Sequence, residues 1–270
     1  MKYLQTFEAL RKDTKSLNLD FDKLFKEISI HCKNFSWDDT PILRSVPDLP
    51  KDFLIVDPKK LKRKSSSNKN WYTLIMDNSE KWKKYPKRSE SLICSIEDPL
   101  WDKSVFRVIP FDNSKWGVCS QNDMWISLPY AKERYKITAY NFIDFLGDLN
   151  EIIYKNNNIP DNDYDFFKEH IMELEMRIKQ NKNIINKNMT IIYKESLYIL
   201  FTEYFDKNLS MFDYFEDVFD PIKNKFELLN YDEVVNMEVN IPSVHGKEIW
   251  TDSKCILVPE NYLDEKYKLK

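Results

Sequence analysis

Residues 85–96 read YPKRSESLICSI, a crowd of polar side chains (Arg88, Ser89, Glu90, Ser91) running straight into an apolar stretch. That stretch predicts a buried strand. Polar residues at the mouth of such a strand can line a cleft, because the strand holds them rigidly while the opening admits ligand; the plainer alternative is turn chemistry, in which serine hydroxyls satisfy nearby backbone groups. Outward on both sides the texture repeats in DFLIV (52–56), WYTLIM (71–76), VFRVIPF (105–111), KWGVCS (115–120) and MWISL (124–128), separated by Pro, Asp, Asn and Ser. From Pro41 to about Leu128 the chain therefore reads as a sheet.

Beyond it the period changes. YNFIDFLGDLNEIIY (140–154), YDFFKEHIMELEMRIK (164–179), TIIYKESLYILFTEYF (190–205) and MFDYFEDVF (211–219) each carry one apolar and one charged face at helical spacing, with NNNIPDN (156–162) as a break. Two short helices are expected in the first 33 residues from Leu4, Phe7, Leu10 and then Phe21, Leu24, Phe25 and Ile28. The tail returns to strand character in EVVNMEVNIP (233–242) and EIWTDSKCILVP (248–259). Strands that follow a helical excursion commonly rejoin the first sheet, so the expected class is α+β. The expected organisation is residues 1–137 (N-terminal helices and the first part of a β-core), 138–230 (a helical insertion) and 231–270 (C-terminal strands completing the core).

Composition narrows the chemistry. The 270 residues, 42% hydrophobic and 14% aromatic, bury a sizeable core, which excludes disordered and collagenous classes. With three Gly, no glycine-rich phosphate loop can be built, so Walker and Rossmann sites are excluded. Cysteines at 32, 94, 119 and 255 form no CxxC pair and the three His are scattered, so no metal is expected and the thiols read as reduced and mostly buried. The N-terminus lacks the apolar run of a signal peptide and no stretch reaches the roughly 18 apolar residues of a membrane span, which predicts a cytoplasmic protein that does not engage membranes. The net charge of −3 conceals an asymmetry: residues 58–88 carry eleven Lys/Arg against Asp77 and Glu80, while residues 138–240 carry ten against twenty Asp/Glu. Lys outnumbers Arg 34 to 7, so an Arg at a special position stands out for its planar, bidentate fork.

Two further residues join the polar cluster at 88–91. Arg44 ends the short apolar run in TPILRSVPDLP (40–50), where the alternative is a surface residue before a turn. Glu248 follows Gly246 and opens an apolar run in VHGKEIWTDSKCILVP (244–259), where the alternative is an exposed edge residue. An Arg on a first strand, a Ser-x-Ser at the head of a second and a Glu opening a late strand resemble the R-S-E class of ADP-ribosyltransferases. The resemblance is strongest over residues 63–127, where SSNKNWYTLIMDNSEKWKKYPKRSESLICS and FRVIPFDNSKWGVCSQNDMWIS look like a phage and bacterial, toxin-like branch. It is loose at both ends and enters the helical stretch only through FEDVFDPIKNKF (215–226).

The resemblance implies a split, twisted, mainly antiparallel β-core and NAD as the substrate whose ADP-ribose is transferred to a macromolecule. Glu248 would meet the nicotinamide ribose and stabilise an oxocarbenium-like state, the kind of cationic sugar that glycosidases also stabilise with carboxylates. Arg44 would grip the pyrophosphate and the Ser45 backbone the nicotinamide amide. Ser89 and Ser91 would shape the pocket, with Trp71, Tyr72 and Trp125 packing on the nicotinamide or serving as plain core, and Arg88 as a second phosphate contact or a flank. Glu238 is a rival for the catalytic position. Many family members carry Glu or Gln two residues before the catalytic Glu; here that position is Gly246, which speaks against protein arginine as acceptor. The basic stretch beside the site favours RNA or DNA over protein, although a solvated lysine-rich loop reads the same way. The acidic helices suit a protein partner such as an inhibitor or antitoxin. Non-catalytic nucleic-acid binding and a protein-interaction module are the alternatives to this toxin or phage–host conflict enzyme.

Overall fold

The computed structural model describes residues 21–45, 53–61, 71–96, 105–128, 154, 163–180, 210–237 and 246–260. It separates into two compact units, one drawn from residues 1–66, 83–124 and 226–270, the other from 67–82 and 125–225. The class is α+β, with helices and an antiparallel sheet.

Among the described residues of the first unit eight strands form one sheet: β1 (Ile42–Ser45), β2 (Leu54–Val56), β3 (Leu92–Ile96), β4 (Val105–Pro110), β5 (Lys115–Val118), β6 (Glu227–Asn230), β7 (Lys247–Thr251) and β8 (Cys255–Pro259). Their order is β2-β8-β4-β1-β3-β7-β5-β6, and every pairing is antiparallel. Only three residues, 252–254, link β7 to β8, which stand four places apart in that order. In a flat sheet those strands would lie about 19 Å apart, whereas the link reaches about 14 Å when fully extended. The sheet must fold back on itself. Phe111 N–H donates to Lys254 O at 2.8 Å, which ties this link to the four-residue β4–β5 connection.

Strand alternation fills the fold. Ile42, Leu54, Val56, Leu92, Cys94, Ile96, Phe106, Val108, Trp116, Val118, Ile249, Cys255 and Leu257 form one core on the inner face, each apolar side chain contributing about 1.5–3 kcal/mol by leaving water. On the other face Phe53, Ile109, Ile256 and Val258 pack with Leu24 and Cys32, contributed by helix α1 (Phe21–His31) and the residue after it. Arg107, buried on β4, uses its fork to donate to Trp37 O and Asp39 O, both at 3.1 Å.

Three sequence expectations change. WYTLIM, read as a strand, lies in helix α2 (Trp71–Asn78), where Tyr72, Ile75 and Met76 are buried at helical spacing. A six-residue apolar run is compatible with either period, and packing decides. MWISL forms turns rather than a strand, with Ile126 exposed. EVVNMEVNIP begins within a helix, α5 (Tyr231–Val235), while residues 238–242 lie outside those described. Asn230 and Glu233 explain that start as a reciprocal capping box: Asn230 Oδ1 accepts Glu233 N–H at 2.9 Å and Glu233 Oε2 accepts Asn230 N–H at 2.8 Å. Asn230→Ala is expected to cost about 1 kcal/mol, read as a lower urea midpoint at unchanged slope.

In the second unit α2 packs on helix α3 (Tyr164–Gln180), which packs on helix α4 (Met211–Val218). The expected helices at 140–153 and 190–205, and the one within the first 20 residues, lie outside the described residues. No described helix is long and apolar enough to cross a membrane.

Candidate active site

Register decides which of the sequence candidates meet. Ser95 pairs with Glu248 and Ile93 with Trp250 across β3 and β7, while Gly117 of β5 pairs with Trp250 from the far side. Side chains alternate along a strand, so Glu248 and Trp250 share the outer face with Ile93, Ser95 and Gly117, opposite the core residue Ile249. Glu248 is held at its backbone as well, accepting Cys119 N–H at 3.1 Å and donating to Asn122 O at 2.8 Å.

Arg88 comes to this carboxylate from the connection ahead of β3. Its Nη2 donates to Glu248 Oε1 at 2.5 Å, with the arginine 3% and the glutamate 22% exposed at the side chain. The Cys119 thiol contacts the same oxygen at 3.7 Å. Among the described residues Oε2 takes no hydrogen bond, so one carboxylate oxygen is anchored and the other is left to face solvent.

Beneath the guanidinium lies Trp250, fully buried, with the guanidinium carbon 5.0 Å from its ring centroid. Trp250 Nε1 donates to Pro86 O at 2.9 Å, Tyr85 stacks at 6.3 Å and Phe226 meets the ring edge-on at 6.2 Å. Tyr85 in turn donates through its hydroxyl to Phe226 O at 3.0 Å, so the segment carrying Arg88 is pinned at several points. Position 117 must be glycine for this stack to exist: a Cβ there would lie 2.2 Å from two atoms of the Trp250 ring.

The other sequence candidates take different places. Ser91 is buried and its hydroxyl donates to Lys87 O at 2.6 Å, which braces the turn before β3. Ser89 is half-buried within the short turn Arg88–Glu90. Arg44 pairs with the core residue Phe106 across β1 and β4 on the inner face, opposite Glu248, and its Nη1 donates to Ile93 O, while Ser45 lies half-buried on the outer face. The Cys94 thiol feels both charges: burial pushes it up to about 12, with Arg44 pulling down and Glu248 pushing up. Tyr72 is buried against Trp125, ring centroids 4.9 Å apart, and both, like Trp71, belong to the helical unit. Glu238 lies outside the described residues.

All four cysteines are buried thiols. Cys32, like Cys94, is pushed up to about 12 by burial first, with Asp112 and Glu27 adding to the rise. The unfolded thiol ionises near pH 9. Raised folded values give a contribution that is complete below that pH and lost as pH climbs toward 12. Stability is expected to fall over that window by up to about 1.4 kcal/mol per pH unit per thiol, and Cys94→Ala should flatten the slope of urea midpoint against pH.

Elsewhere, three lysines of the basic stretch are engaged locally: Lys59 with Asp252 at 3.1 Å, Lys60 with Asp57 at 3.9 Å and Lys81 with Asp220 at 3.0 Å. The helical unit holds a cavity of about 800 Å³ among Tyr164, Lys168, Met172, Glu175 and Phe212. Buried Glu175 accepts Met211 N–H at 2.8 Å, which caps α4. No group of three or more His, Cys, Asp or Glu suited to a metal occurs among the described residues. Comparison with known families, curated proteins and solved structures finds no match.

Sequence reasoning named Arg88 and Glu248 without pairing them, and it passed over Trp250, Cys119 and Gly117. Two signals were present. Glu248 and Trp250 are two apart in a strand and so share a face, and an isolated Gly inside KWGV marks a close approach of another group.

Proposed function

We propose that this protein is a mono-ADP-ribosyltransferase that cleaves NAD and transfers ADP-ribose to a macromolecular acceptor, nucleic acid ahead of protein. The observation that carries this reading is the Glu248 carboxylate, anchored through Oε1 and open at Oε2 on a strand of a folded antiparallel sheet. A fixed negative charge is what an oxocarbenium-like ribose needs. The bond from ribose C1′ to the nicotinamide nitrogen breaks with its electron pair leaving on nicotinamide, the acceptor's nucleophilic atom bonds to C1′, and the acceptor's proton is released. Water in place of the acceptor yields free ADP-ribose.

Arg44 serves this site in a different way from a pyrophosphate clamp. Two strand spacings, about 10 Å, separate its backbone from that of Glu248, and its side chain leaves the other face. Its bond to Ile93 O braces β3, the strand beside Glu248. Exposed Lys84 and Lys87, on the connection that carries Arg88, supply the positive charge for the diphosphate. The resemblance to the toxin-like branch of the R-S-E transferases supports the reading from the sequence side.

The test incubates the protein with NAD labelled in its adenylate half and separate pools of RNA, DNA and cell-extract protein. Label on one pool is the expected result and identifies the acceptor class. Free ADP-ribose alone restricts the activity to glycohydrolysis, and no NAD turnover with any pool overturns the reading.

A further inference from the structure

We infer that Arg88 is a positioning residue for Glu248: held on the Trp250 ring and bonded to Oε1, it fixes the carboxylate so that Oε2 alone meets substrate. The inference rests on the reading of Glu248 as the carboxylate that meets NAD. Arg88 is 3% exposed, so its guanidinium cannot serve as a docking point for phosphate, the other role open to an arginine ahead of β3. Its geometry is fixed from three directions: the Glu248 oxygen at 2.5 Å, the indole at 5.0 Å and a connection pinned by Trp250 Nε1 on Pro86 O. A planar fork seated over an aromatic ring presents its donors to the carboxylate in a fixed plane, which a flexible ammonium does not. The second contact to Oε1, from Cys119 at 3.7 Å, is too weak to hold the carboxylate unaided.

The roles separate in steady-state kinetics. Arg88→Gln keeps a hydrogen-bond donor of shorter reach, and Glu248, partly exposed, remains hydrated rather than stranded. Because misplacing a reacting group by about an ångström costs on the order of 10²-fold in rate, kcat for NAD cleavage is expected to fall by that order while KM for NAD changes by less than about threefold. Arg88→Lys, which keeps the charge, should recover part of kcat. Rates are taken per folded molecule, with near-ultraviolet circular dichroism reporting the Trp250 environment, so that a folding defect is not read as a catalytic one. Unchanged kcat per folded Arg88→Gln molecule, with wild type active and Glu248→Gln inactive, overturns the positioning role while leaving the enzyme reading intact. A raised KM at constant kcat overturns it in favour of a direct substrate contact. Wild-type protein without NAD turnover removes both.

Discussion

Glu248→Gln is expected to lower NAD turnover by about 10²–10³-fold while the protein stays folded. Glutamine keeps an amide oxygen that accepts from Arg88 Nη2, so the hydrogen bond survives with a neutral acceptor. What disappears is the charge. The ion pair becomes a bond from a still-charged guanidinium to a neutral oxygen, at a stability cost of about 1–3 kcal/mol, visible as a lower urea midpoint. Chemistry suffers far more, because the positive charge moves from the nicotinamide ring onto the ribose as the bond breaks, and the oxocarbenium-like ribose loses its fixed counter-charge. The loss should therefore appear in kcat, with KM for NAD nearly unchanged. Turnover within about twofold of wild type would remove Glu248 from the mechanism. Glu238→Gln, measured beside it, then decides whether the rival carboxylate carries the reaction.

Gly117→Ala is expected to produce the largest loss of stability for the smallest change in composition, about 3 kcal/mol or more. The added Cβ would lie 2.2 Å from Cε2 and Cζ2 of Trp250 and 2.7 Å from Cη2. None of these is the far end of a flexible side chain. The indole is bonded to Pro86 O and packed among Tyr85, Phe226 and Arg88, so relief requires β5 and β7 to move apart. Urea denaturation at unchanged slope measures the cost. Trp250→Leu combined with Gly117→Ala should cost less than the sum of the two single changes, since shrinking the ring removes the clash. A single-variant loss below about 1 kcal/mol, or strict additivity in the pair, would show that the close approach of Gly117 and Trp250 does not govern stability. Because Trp250 is also the platform for Arg88, the folded fraction of Gly117→Ala should turn over NAD more slowly than wild type.

Strand existence was readable wherever a run alternated between two packed faces. Phe106 and Val108 enter one core, Ile109 the other, and VFRVIPF announces that pattern without reference to the rest of the chain. WYTLIM was not readable in the same way, because a six-residue run with five apolar side chains fits a short strand and a short helix equally, and only its packing on α3 selects the helix. Helix α5 was legible through Asn230 and Glu233, three apart, a local signal hidden by the β-branched residues that follow.

The same division runs through the candidate site. Local chemistry in the sequence determined that 85–96 is a turn entering a buried strand, that Glu248 opens another, and that too few glycines exist for a phosphate loop, since these depend on side chains only a few residues apart. Tertiary structure alone decided that Arg88 and Glu248, 160 residues apart, form a pair, and that Arg44 leaves the opposite face. The reason is register. Which residues share a face of a sheet depends on strand order and on an alignment whose slip by one residue would exchange the two faces, and no single strand contains that information.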